Sequence, residues 1–265
     1  MCSAAQLESE MRMLRLGIFL LFVAPIWSNN FDKCGQLHSE SNSHFLIGGS
    51  SEKINAPWVA AVGKCENDCG RFDKFTVSCS GAILTRRFIV TAAHCFTEIG
   101  RVKKENFPNY VKVGANTIND KFAEDRKIKN YVNHPDFKFP VYYFDVALIL
   151  LEEELTFSAR ISPICLPQTA SNYPDNVPIS VQGWGKDGDG SFGERLSDLT
   201  VGIRVKNECD HEFRTAGVEH GAFIGRKVKK VMPEFSRDTL FCARANLNSQ
   251  IGTCIGDSGG PAVEL

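Results

Sequence analysis

The sequence predicts an all-β fold, either a sandwich or barrels. From residue 46 onward, short apolar or β-branched runs recur at 58–62, 77–84, 88–93, 110–113, 146–151, 179–181, 201–205 and 240–243. Clusters of Gly, Pro and Asn separate them, as turns separate strands. Neither a helical heptad nor a fixed-period repeat competes with that pattern. At 265 residues, with 43% hydrophobic and 23% charged, the chain can bury one sizeable core or two smaller ones packed together.

Before the first strand the chain reads as an export leader. Arg12 and Arg15 precede the apolar run 16–26, and Ser28 offers a small residue for cleavage. That run is too short to span a bilayer, so residues 1–28 are read as a signal peptide without stable membrane insertion. Residues 29–45 are polar, lack periodicity and read as a pro-segment, leaving 46–265 as the folded domain. Ten cysteines fit an oxidising compartment, hence a secreted, extracellular protein. Cys2 falls in the leader, which leaves nine and one without an internal partner. Thirty basic residues against thirty-one acidic ones give no electrostatic reason to bind nucleic acid.

Two segments depart from the strand texture. Residues 121–129 are charged and are read as a surface loop. Residues 226–230 form a basic cluster, Arg226-Lys227-Val228-Lys229-Lys230, also read as a solvated loop.

Three short runs carry the chemistry. Val90-Thr91-Ala92-Ala93-His94-Cys95 sets a histidine among small residues that allow close packing. Asp145 opens the apolar run 145–151, where a carboxylate at the edge of a buried strand needs a partner. Gly256-Asp257-Ser258-Gly259-Gly260-Pro261 presents a serine on a glycine-rich turn, where backbone N–H groups can face a developing oxyanion.

In that order the three runs resemble the chymotrypsin-like (S1) serine proteases. The likeness extends to Leu46-Ile47-Gly48-Gly49, Cys79-Ser80-Gly81, Gly183-Trp184-Gly185 and Leu240-Phe241-Cys242-Ala243, and so covers residues 46–265. It implies two antiparallel six-stranded barrels, about 46–155 and 156–265, with the active site between them. The second barrel is expected to be incomplete at its C-terminus. Ser258 would be the nucleophile, His94 the general base and Asp145 its orienting partner. The N–H groups of Gly256 and Ser258 would form the oxyanion hole. Asp257 would pair with a new α-ammonium at Leu46 after a cut following Phe45, which makes the chain a zymogen. Gly252, at the position that floors the specificity pocket in that family, does not support a trypsin-like preference for basic residues.

The same resemblance implies disulfides Cys79–Cys95, Cys209–Cys242 and Cys34–Cys165, the last tethering the pro-segment. Cys65 and Cys69 are left to close a small loop on each other, with no second ligand pair beside them for zinc. Cys254 is left over. The expected activity is that of a secreted endopeptidase acting on protein or peptide substrates, with an activating protease and protein inhibitors as further partners. It needs no cofactor and no metal. The alternative is a truncated, inactive homologue serving as a binding or decoy module.

Overall fold

In the computed structural model the described residues are 34–35, 56–66, 69, 74–98, 103–139, 143–167, 176–186, 194–204, 241–244 and 256–264. The leader, Phe45, Leu46, Cys209, the basic cluster 226–230, Gly252 and Cys254 lie outside them.

Six strands close a barrel: β1 (Val59–Cys65), β2 (Phe75–Ile83), β3 (Phe88–Thr91), β4 (Tyr110–Val113), β5 (Glu124–Asn133) and β6 (Ala147–Leu151). Their order is β1-β2-β3-β6-β5-β4, with β1 paired antiparallel to both β2 and β4. Closure removes the free sheet edges that an open set of strands would expose. A four-stranded antiparallel sheet follows, ordered β10-β7-β8-β9, built from β7 (Pro178–Gly183), β8 (Ser197–Ile203), β9 (Ala243–Arg244) and β10 (Ala262–Glu264). The all-β expectation is borne out, with one closed barrel and a second, partial sheet. The helical content among the described residues is short 3₁₀ turns, among them Ala93–Phe96 and Lys104–Asn106.

Strand β1 shows why its sequence lacks the polar-apolar alternation of a surface strand. Ala60 and Val62 face the barrel interior with Ile83, Ile89, Val111, Val113, Ile149 and Leu151. Their neighbours Val59 and Ala61 pack on the other side with Trp58, Val77, Trp184 and Leu196. A strand buried on both faces reads as a continuous apolar run. Val263 of β10 packs against this second cluster, and Trp58 Nε1 donates to Gln182 Oε1 of β7 at 2.9 Å. The outer face of the barrel thus forms the seat of the second sheet.

Of residues 121–129, expected as a loop, 121–123 lie in a turn and 124–129 belong to the ten-residue strand β5. Their charges lie on exposed and half-buried faces, so no apolar alternation announces the strand. Cross-strand pairing holds it: Lys112 of β4 stands opposite Asp125, and Lys112 Nζ donates to Asp125 Oδ2 at 2.8 Å. Ile128 and Tyr131 supply the few apolar contacts of β5 with the barrel core. The expected strand 88–93 ends at Thr91, because residues 93–96 turn into a 3₁₀ helix. Residue 146, expected inside a buried strand, precedes β6 and is exposed.

The structure pairs Cys34 with Cys165, Cys65 with Cys69 and Cys79 with Cys95. Cys242 is also disulfide-bonded.

Candidate active site

Strand pairing brings His94 and Asp145 together. In the antiparallel register of β3 and β6, Thr91 faces Ala147, so the chain beyond β3 runs past the chain that enters β6. Residue 94 then lies beside residues 144–145. The 3₁₀ turn Ala93–Phe96 presents His94, and the Cys79–Cys95 disulfide ties that turn to β2. On the opposing segment, Phe144 adopts φ 56° and Val146 N–H donates to its carbonyl at 2.7 Å, making a tight turn around Asp145. A bulky residue in the left-handed region is costly and persists only where its surroundings enforce it. Here Phe144 stacks on His134, with ring centroids 4.8 Å apart.

Asp145 receives two hydrogen bonds from one residue. The backbone N–H of His94 donates to Oδ1 at 2.8 Å, and Nδ1 of the imidazole lies 2.6 Å from Oδ2. A ring held at both its backbone and its Nδ1 has little freedom to rotate. The two side chains are 25% and 16% exposed, shielded enough to strengthen the pair yet open to a reactant.

The serine turn docks on the first barrel through Ser80 of β2, which is fully buried. Ser80 N–H donates to the Ser258 carbonyl at 2.9 Å, and its hydroxyl donates to the Gly256 carbonyl at 2.8 Å. That hydroxyl also accepts the Trp184 N–H at 3.0 Å, while the Ser80 carbonyl accepts the Thr91 hydroxyl at 2.7 Å. One residue therefore joins β2, β3, the segment after β7 and the serine turn. Gly259, at φ 81°, lies so close to Thr91 and Ala92 that a Cβ there would strike the Thr91 Oγ1 and the Ala92 nitrogen. The turn carrying Ser258 is thereby set against the residues that lead into His94. No sequence argument assigned a role to Ser80, although it lies in a run already singled out; a serine inside an otherwise apolar buried strand is the signal for it.

Asp257 points away from this contact. Its Oδ1 accepts the Gly185 N–H at 2.7 Å, and side chains at Gly183 or Gly185 would collide with its carboxylate. Gly256, at φ 106°, and the Gly260 N–H to Asp257 carbonyl bond of 2.9 Å complete the turn. Among the described residues, Cys79, His94 and Cys95 are the grouping with metal-ligand atoms close together. Two of those atoms are joined as a disulfide and cannot ligate.

A family model for trypsin matches residues 46–265. The chain belongs to the trypsin family. Trypsin-family relatives include Limulus clotting factor C of Carcinoscorpius rotundicauda, 25% identical over 242 residues that make up 87% of this chain and 22% of that protein. Serine proteinase stubble of Drosophila melanogaster is 29% identical over 226 residues, 82% of this chain and 25% of its own length. The chain therefore spans about a quarter of the length of these two curated relatives. Among solved structures, the fold is similar to that of neuropsin, a serine protease expressed in the limbic system of mouse brain. The TM-score is 0.55 at 21% identity, covering 78% of this chain and 77% of that one. Trypsin-family membership groups the chain with serine proteases. No helix among its described residues is long and apolar enough to cross a membrane.

Proposed function

We propose that this chain is the catalytic part of a secreted serine endopeptidase that is made as a zymogen and hydrolyses peptide bonds with His94, Asp145 and Ser258. The observation that carries this reading is the doubly hydrogen-bonded His94–Asp145 pair, beside which the Ser258 turn is docked through Ser80, Thr91 and Ala92.

With its Nδ1–H donated to Asp145, the neutral imidazole keeps its basic lone pair on Nε2. Nε2 takes the Ser258 hydroxyl proton as Oγ attacks the peptide carbonyl carbon. The resulting imidazolium is stabilised by Asp145, which does not itself become protonated. The oxyanion receives the N–H groups of Gly256 and Ser258, each donor contributing about 3 kcal/mol. His94 then protonates the leaving amine, and an acyl group remains on Ser258. Water, deprotonated by His94, attacks the acyl carbon; the bond to Ser258 Oγ breaks to free the acid, and His94 returns the proton to Oγ.

Activation rests on Asp257. A cut after Phe45 by a protease that prefers aromatic residues frees the Leu46 α-ammonium, which pairs with the Asp257 carboxylate beside Gly183 and Gly185. Gly252, at the position of the pocket floor, is compatible with an apolar or small side chain in the substrate.

The test is covalent labelling with a fluorophosphonate, before and after cleavage by an aromatic-specific protease, with the new Leu46 terminus checked by sequencing. Labelling confined to the cut form and abolished in Ser258→Ala is the expected outcome. Absence of labelling in verified Leu46-ended protein would overturn the assignment and leave a binding role.

A further inference from the structure

Beyond the turn that carries His94, the first barrel holds an open cavity of about 370 Å³ that the catalytic machinery does not use. Phe96, Phe107, Tyr131 and Phe137 supply aromatic walls, while Glu98, Lys104 and Asn133 add polar groups. Phe96 and Tyr131 are stacked at 4.2 Å, and Phe107 meets both edge-on at 6.2 Å, so the aromatic lining is rigid before any ligand arrives.

Two polar features state what such a ligand must offer. Asn133 Oδ1 is buried without a hydrogen-bond partner, and an unsatisfied buried acceptor is costly to leave unpaired. It calls for a donor. Glu98 sits on the same cavity, with its Oε1 held by the Lys104 backbone N–H at 3.3 Å. Its negative charge is felt within the lining: the Tyr131 hydroxyl is raised above its ordinary value of 10.0, first by burial and then by Glu98. Aromatic walls, a carboxylate and an unpaired carbonyl acceptor together favour a cation that carries several N–H donors.

We propose that this cavity binds the guanidinium of an arginine side chain presented by a polypeptide partner. A guanidinium is planar, stacks on aromatic faces and is weakly hydrated, whereas an ammonium presents a compact, strongly hydrated charge. Its forked donors suit the Glu98 carboxylate. Lys104 also lines the cavity, so its positive charge opposes a cationic ligand. The site belongs to the first barrel alone and is independent of whether Ser258 is reactive.

The experiment uses the full chain carrying Ser258→Ala, with Phe and Tyr rings isotopically labelled. It is titrated with N-acetyl-arginine amide and with N-acetyl-citrulline amide, the neutral isostere. The arginine probe should shift the Phe96 and Tyr131 ring signals saturably and bind about ten-fold more tightly than citrulline. Glu98→Gln should weaken arginine binding by about five- to ten-fold, and Lys104→Met should strengthen it by a similar factor. Both positions are exposed, so neither variant endangers the fold. Equal affinity for arginine and citrulline, an absence of saturable ring shifts, or weaker arginine binding in Lys104→Met would overturn the proposal.

Discussion

Replacing Ser80 by alanine removes a single oxygen from a fully buried position, and that oxygen serves two backbone groups. The Trp184 N–H loses its acceptor and the Gly256 carbonyl loses a donor, neither being replaceable by water at a site without solvent exposure. A buried polar group left unpaired costs about 1–3 kcal/mol, so the pair should cost about 2–6 kcal/mol in total. For a domain of this size each kcal/mol lowers Tm by about 2–4 °C, which places the drop at about 4–24 °C. Ser180 supplies the control, because its hydroxyl is equally buried and has no hydrogen-bond partner. Ser180→Ala should therefore change stability by less than about 0.5 kcal/mol. Urea unfolding of the two variants against the parent protein gives the comparison directly. Fluorophosphonate labelling of activated protein should also be slower in Ser80→Ala alone, since the Gly256 peptide is no longer held. Equal stability of the two serine variants would refute the assignment of Ser80 as the bond between the serine turn and the barrel.

Other outcomes follow from the same geometry. Asp145→Asn keeps the shape of the site but disfavours the Nδ1–H tautomer, and should lower kcat of the activated enzyme by about 10⁴-fold with an intact fold by circular dichroism. Gly259→Ala meets both a left-handed φ and the Thr91–Ala92 wall; it should destabilise by more than about 2 kcal/mol in chemical unfolding and abolish labelling. Burial alone would raise the Asp120 carboxyl. The N–H groups of Phe122 and Asn116 and the Arg160 guanidinium outweigh it and hold the carboxyl below 3.8. Because the folded value is depressed, this stabilisation is complete above the unfolded value and is lost as pH falls through the folded one. The unfolding free-energy difference between the parent and Asp120→Asn should thus be flat above about pH 5 and shrink below about pH 4. A difference that grows on acidification would contradict it.

What the sequence showed and hid follows a physical division. His94, Asp145 and Ser258 were legible because a histidine among small residues, an acid at the mouth of an apolar strand and a serine among glycines are each unusual locally. The barrel strands β1 to β4 were legible from apolar content, since their side chains face cores. Strand β5 was not, because an exposed strand held by backbone pairing and cross-strand charges has the composition of a loop. Ser80 escaped notice for the opposite reason: its importance comes from Gly256 and Trp184, 176 and 104 residues away in the chain. The aromatic cavity was equally hidden, its walls arriving from residues 96, 107, 131 and 137, which no short motif unites.

The two-sided burial of β1 makes the break between the closed barrel and the second sheet a division of topology and not of energy. A fragment cut near residue 155 would lose Ile161 from its barrel core and leave Trp58, Val59, Ala61 and Val77 facing water, a greasy flank with nothing to cover it. Such a fragment should dimerise or precipitate. Because Val59 and Ala61 on one side alternate with Ala60 and Val62 on the other, one strand cannot drift without disturbing both halves of the molecule, and substitutions along it must suit two neighbourhoods at once.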